Sequence, residues 1–131
     1  MGTHVTAQYT VKSWDEKPVI ELDDGGKLTR TSVTGGYTGA IEGEAASESV
    51  MCYAADGTAV FVGFERIVGR IDGREGSFIL RSEGTYDGTE ARATLSVVPG
   101  SGTGELTGLR GEGSFVAPHG PQATVELDYR L

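Results

Sequence analysis

The chain has one cysteine, Cys52, so no intrachain disulfide can form. It has 2 histidines, His4 and His119, too far apart in sequence for the ligand spacing of a zinc site. Neither a metal nor a cofactor is expected. Positive charge is scarce, with 11 Lys+Arg against 19 Asp+Glu and a net charge of -8. Nucleic acid and anionic membrane surfaces need clustered positive charge, so neither is an expected partner. The longest apolar run is only a few residues, too short for a membrane-spanning helix. The opening MGTHVTAQYT lacks the basic-then-apolar layout of a signal peptide. A cytoplasmic location is the resulting expectation. Helical periodicity is nearly absent, and 131 residues suit one domain spanning the whole chain.

What is plentiful is glycine. There are 21, against a usual share of about 7% of residues. They are dense in Val98–Phe115, VPGSGTGELTGLRGEGSF. Such a run after a strand-like stretch raises the question of a phosphate loop. A P-loop needs a lysine after its last glycine, and no lysine follows Lys27 anywhere. The dinucleotide fingerprint needs a third glycine where Thr107 stands. Both motifs open a helix, and Gly108, Gly111 and Gly113 would each cost a helix about 1 kcal/mol relative to alanine. The stretch reads instead as a broad turn, Pro99 to Gly104, and then a bent strand.

Alternation of apolar and polar residues is widespread. Val5, Ala7, Tyr9 and Val11 alternate with Thr6, Gln8, Thr10 and Lys12. Ala123, Val125, Leu127 and Tyr129 do the same near the end. Each is the pattern of a half-buried strand. Ser13 to Pro18 (SWDEKP) reads as a break after the first strand, and Leu22 to Lys27 as a loop. Further strands are expected over Lys27–Thr34, Thr38–Tyr53 (bent at Gly43), Thr58–Ile71, Arg74–Tyr86, Glu90–Val98, Leu109–Val116 and Gln122–Tyr129. Asp56-Gly57, Asp72-Gly73 and Asp87-Gly88 mark hairpin turns between consecutive strands. Eight strands in sequential hairpins, with little or no helix to cover a sheet, most simply form a closed antiparallel meander β-barrel. A two-sheet sandwich is the alternative.

Polar residues inside strand patterns are the candidate chemistry. Glu44, Glu48 and Cys52 share one face of the third strand; Ser47, Ser49, Met51 and Tyr53 share the other. If the first set faces the lumen, it offers paired carboxylates for acid–base work; the plainer alternative is a solvated outer face. Glu65 and Arg66 point to opposite faces, so one of them enters a closed barrel. Arg81 and Glu83 share a face of the next strand and are candidate partners for that charge. His119, in APHGP, is the titratable group nearest neutral pH. The candidate catalytic set is therefore Glu48, Glu44, Glu65 and His119. The candidate ligand contacts are Tyr53, Cys52, Phe64, Arg66 and the single tryptophan, Trp14, whose alternative role is packing at a barrel end.

The order SWDEKP, GGKLTRTSV, GAIEGE, MCYAADGTAVFVGFERIVGRIDGREGSFIL, GTGELTGLRGEG and APHGP resembles a bacterial family of single-domain proteins catalogued as domain of unknown function 3224. That family is similar in fold to allene oxide cyclase and to plant dirigent proteins. The resemblance implies an eight-stranded antiparallel barrel, often a homo-oligomer, and supplies no reaction. Strand positions rich in Gly, Ala and Ser argue for an incompletely filled lumen. Two readings follow. One is a barrel whose central cavity binds an apolar or aromatic metabolite. The other is a cofactor-independent cyclase or isomerase that steers a reactive biosynthetic intermediate by orientation and exclusion of water. A filled barrel serving only as an interaction module is a third, weaker reading.

Overall fold

The computed structural model describes residues 2–118 and 122–131. It is a closed barrel in which β1 (Thr3–Glu21), β2 (Lys27–Gly39), β3 (Ile41–Tyr53), β4 (Ala59–Ile71), β5 (Arg74–Tyr86), β6 (Ala91–Val97), β7 (Arg110–Ala117) and β8 (Gln122–Arg130) each pair antiparallel with the next. β8 returns to β1, from Thr3↔Tyr129 to Thr10↔Gln122, and closes the sheet. Closure removes the free edge along the wall, apart from the part of β1 beyond Thr10, which pairs with β2 alone.

The Asp-Gly pairs behave as their chemistry dictates. Asp72 and Gly73 have φ of 49° and 81°, the two left-handed residues of a type I′ turn whose twist suits the β4–β5 hairpin. At the β5–β6 turn the Asp87 carboxylate accepts hydrogen bonds from the Thr89 and Glu90 backbone amides, at 2.9 and 2.8 Å.

Two strand boundaries differ from the sequence reading. SWDEKP is not a break. β1 runs through it for 19 residues, with register shifts between Val11 and Ser13 and between Pro18 and Ile20. A bulge adds one residue to one strand and reverses which side chains face inward. Tyr9 and Val11 face the lumen before the first bulge; Trp14, Glu16 and Pro18 pair with lumen-facing β2 residues after it. The alternation fails there because of the bulge, not because the strand ends. Pro18 sits where β1 has left β8 behind, so its missing N–H interrupts no second ladder. β2 also continues through Gly35-Gly36 to Gly39, so β3 begins at Ile41 rather than Thr38. Gly35 is required because a side chain there would collide with the Tyr9 phenol.

The lower half of the barrel is solid. Ile41, Ile67, Ile71, Phe78, Leu80, Val125 and Leu127 are almost wholly buried. The β6–β7 connection closes this end. Its backbone follows β5, with Val98 N donating to Ile79 O at 2.9 Å and Thr103 N to Ser77 O at 2.9 Å. The 3₁₀ turn Gly104–Leu106 then brings Leu106 and Leu109 into the core, both at 0% exposure. Glycines Gly43, Gly69 and Gly76 stand side by side on β3, β4 and β5. A Cβ on Gly69 would strike the β3 backbone, and one on Gly76 would strike Thr103 of the closing loop. They permit close backbone approach where the wall bends.

Candidate functional site

Above this packed base lies a cavity of about 460 Å³. Its wall carries Tyr9, Tyr37, Phe61, Leu95 and Phe115, with Ser, Thr and Ala between them. Gly63 and Gly84 stand at lumen-facing positions of β4 and β5, while Gly111 and Gly113 bring the β7 and β8 backbones close together. The room comes from short residues at inward positions.

Register places those side chains in tiers. Val33, Ser47, Glu65 and Leu80 adjoin one another across β2, β3, β4 and β5. The tier above is Thr31, Ser49, Gly63 and Ser82. Above that again come Thr29, Met51, Phe61 and Gly84. A hydroxyl tier therefore sits directly over Glu65, between an apolar base and an apolar upper wall. Thr31 is 1% exposed, and its Oγ1 has no hydrogen-bond partner among the described residues.

Glu65 is the one formally charged residue among the described residues that line the cavity. Its residual exposure is to the cavity. Tyr37 OH donates to Glu65 Oε1 at 2.5 Å. Burial pushes the Glu65 carboxyl up to about 7, against the opposing effect of the Tyr37 hydrogen bond. Tyr37 packs on Tyr9, with ring centroids 5.0 Å apart at 54°. Burial, and then the Glu65 charge, raises both phenols far above their ordinary range.

A second polar group sits at the mouth. The Glu16 carboxylate accepts from Thr29 Oγ1 at 2.6 Å, Tyr53 OH at 2.8 Å and Trp14 Nε1 at 3.4 Å. Burial opposes the Glu16 charge, but these three hydrogen bonds outweigh it and hold the carboxyl below its ordinary value. Tyr53 is pushed up to about 12, by burial and then by Glu16. The Lys27 ammonium lies over the Tyr53 ring, 5.1 Å from its centroid.

The structure sorts the sequence candidates. Glu65, Tyr53 and Trp14 line the cavity. Glu44, Glu48 and Cys52 do not. Their face of β3 points outward, because the inward parity is taken by Ala45, Ser47, Ser49, Met51 and Tyr53. Glu44 pairs with Lys12 at 2.7 Å and Glu48 with Arg30 at 3.0 Å, both at the surface. Hydrogen bonds from Ser32 and Arg30 hold Glu48 below its ordinary value, the reverse of what a lumenal carboxylate would show. Phe64 and Arg66 are also exposed on the outer wall, on the opposite parity to Glu65. Arg81 and Glu83 pair with each other outside and do not reach Glu65. His119 lies outside the described residues.

Sequence reasoning passed over Tyr9, Tyr37, Glu16 and the hydroxyl tier. Ser47 and Ser49 were findable, since they share parity with Met51 and Tyr53. Tyr37 was hidden behind the glycine pair that looked like a strand end. Glu16 was hidden by the bulge.

This architecture places the chain among closed, meander-type antiparallel β-barrels with an internal cavity. More particularly, it belongs to the family described as "Protein of unknown function (DUF3224)", which matches residues 5–129. A solved structure from Shewanella oneidensis MR-1, described as a protein with unknown function from the DUF3224 family, is 30% identical in sequence. The two superpose with a TM-score of 0.81 over 100% of this chain and 98% of the other. No curated protein matches.

Proposed function

We propose that this barrel binds a small, largely apolar or aromatic molecule in its cavity. The observation that carries the reading is the 460 Å³ space itself, closed below by Leu106 and Leu109 and lined mainly by aromatic and aliphatic side chains. A barrel built only for structure gains nothing by leaving half its lumen unpacked, because each missing contact forfeits burial and dispersion energy. The neutral dye N-phenyl-1-naphthylamine tests it. Its fluorescence should rise on mixing with the protein, and Ala93→Trp, which puts an indole into the cavity, should weaken the binding. A signal that is absent, or an affinity that Ala93→Trp leaves unchanged in a folded protein, would remove the reading.

Glu65 favours a second reading, a cofactor-independent cyclase or isomerase acting on a reactive intermediate. A carboxyl poised near neutrality in an apolar enclosure suits proton transfer. Turnover would then disappear in Glu65→Gln while dye binding persisted.

We also infer self-association. Val50, Val60, Val62, Phe64 and Val68 form an exposed apolar stripe on the outer wall of β3 and β4. A second copy would meet this stripe face to face.

A further inference from the structure

We propose that the cavity takes a lipophilic amine, with its ammonium group seated against Glu65 under the hydroxyl tier and its apolar body directed toward the mouth. The proposal rests on the cavity-binding reading and names its ligand class.

Three observations point the same way. The first is charge. Glu65 carries the one formal charge among the described lining residues, and no lysine, arginine or described histidine lines the wall beside it. An anionic ligand would meet an uncompensated carboxylate in apolar surroundings; a cation would form a charge-assisted hydrogen bond. Tyr37 is the hydrogen-bond partner of Glu65 among the described residues and engages one carboxylate oxygen, Oε1. The second oxygen remains for a ligand.

The second observation is the supply of acceptors around that point. An ammonium brings three N–H donors and needs three acceptors once it leaves water. Ser47 adjoins Glu65 in register, and Thr31, Ser49 and Ser82 stand in the tier above. Ser47, Ser49 and Ser82 line the cavity and are partly exposed, while Thr31 Oγ1 is covered and has no partner among the described residues. The third observation is the aromatic surround. Tyr9, Tyr37, Phe61 and Phe115 present rings to the cavity, and ring faces attract cations. The net charge of -8 draws cations toward the protein at longer range.

The test is isothermal titration calorimetry on the full chain with three probes of one shape: 1-naphthylmethylamine, 1-naphthalenemethanol and 1-naphthoic acid. At pH 8 the amine should bind at least about tenfold more tightly than the alcohol, and the acid most weakly. Glu65→Gln should erase the advantage of the amine over the alcohol. Should that variant fold poorly, the wild-type pH dependence decides. The titratable groups facing Glu65 are Tyr37 of β2 and Tyr9 of β1, and both stay protonated in the range used; Ser47 of β3 and Leu80 of β5 do not titrate. With the Glu65 carboxyl at about 7, amine affinity should rise about tenfold from pH 6 to pH 8 and alcohol affinity should stay flat. An alcohol that binds as tightly as the amine, or an amine preference that survives Glu65→Gln, overturns the amine assignment and leaves the cavity reading standing. Failure of all three probes to bind overturns both.

Discussion

The Tyr37 hydroxyl donates to the Glu65 carboxylate at 2.5 Å, although β3 lies between their two strands. Residues on β2 and β4 share no backbone ladder. They meet because Gly43, opposite Tyr37 on β3, presents no side chain and Ala45 presents only a methyl group. The bond crosses the lumen side of β3 and joins the packed base to the cavity.

Glu65 makes the fold sensitive to pH. Its carboxyl is raised from 4.5 to about 7 in the folded chain, so the protonated form is the one the fold favours. That contribution is fully present below about pH 4.5 and is lost as pH rises through about 7. Glu65→Gln, which cannot ionise, should therefore stabilise the protein at pH 8 by about 3 kcal/mol and change little at pH 4. Thermal melts at the two pH values measure the difference.

Removing the Tyr37 hydroxyl should move the same titration. Its hydrogen bond is the influence that lowers the Glu65 carboxyl against burial. Tyr37→Phe should raise the titration midpoint further, read from the side-chain carboxyl carbon by NMR. A midpoint that stays put or falls would mean that the hydrogen bond does not stabilise the ionised form.

The carboxylates on the outer face of β3 serve as controls. Glu44→Gln and Glu48→Gln should leave dye and amine binding unchanged, since both side chains pair with surface cations outside the barrel. Altered affinity in either variant would place the binding site elsewhere.

The closed end should be costly to open. Leu106 is wholly buried beneath the lumen. Leu106→Ala should lower stability by about 3 kcal/mol, measured by denaturant unfolding.

The outer stripe should govern mass in solution. Val62→Glu places a charge in the middle of it, between Val50 and Phe64. Light scattering should show a shift toward monomer, with dye binding retained. A mass that does not change would leave the stripe without a role in self-association.

The barrel was legible because its evidence is local. Each Asp-Gly turn declares itself within two residues, and Val5–Val11 or Ala123–Tyr129 show their buried face by alternation alone. The site was less legible because facing depends on register, which is set between strands. In β3 both parities mix polar and apolar residues, so sequence alone left Glu44, Glu48 and Cys52 as good a lumenal set as Ser47, Ser49 and Met51. Only pairing with β2 and β4 decides. Misleading breaks add a second uncertainty, since SWDEKP, which follows a bulge, and GGYTG, which is glycine-rich, each look like interruptions and each belong to a strand. Glu65 was recognisable as one of two options, because Glu65-Arg66 must divide between the faces; its partner Tyr37 was not, because nothing local links residues 28 positions apart.

The bulge at Lys12 has a genetic consequence. Trp14 and Glu16 face inward because Lys12 is set aside as an extra residue between the Val11↔Gly35 and Ser13↔Thr34 pairs. Loss of the Lys12 codon would join those two pairs directly and remove the Lys12–Glu44 ion pair, yet leave Trp14 and Glu16 facing the entrance. Related chains one residue shorter before the tryptophan would therefore present the same indole and carboxylate at the mouth.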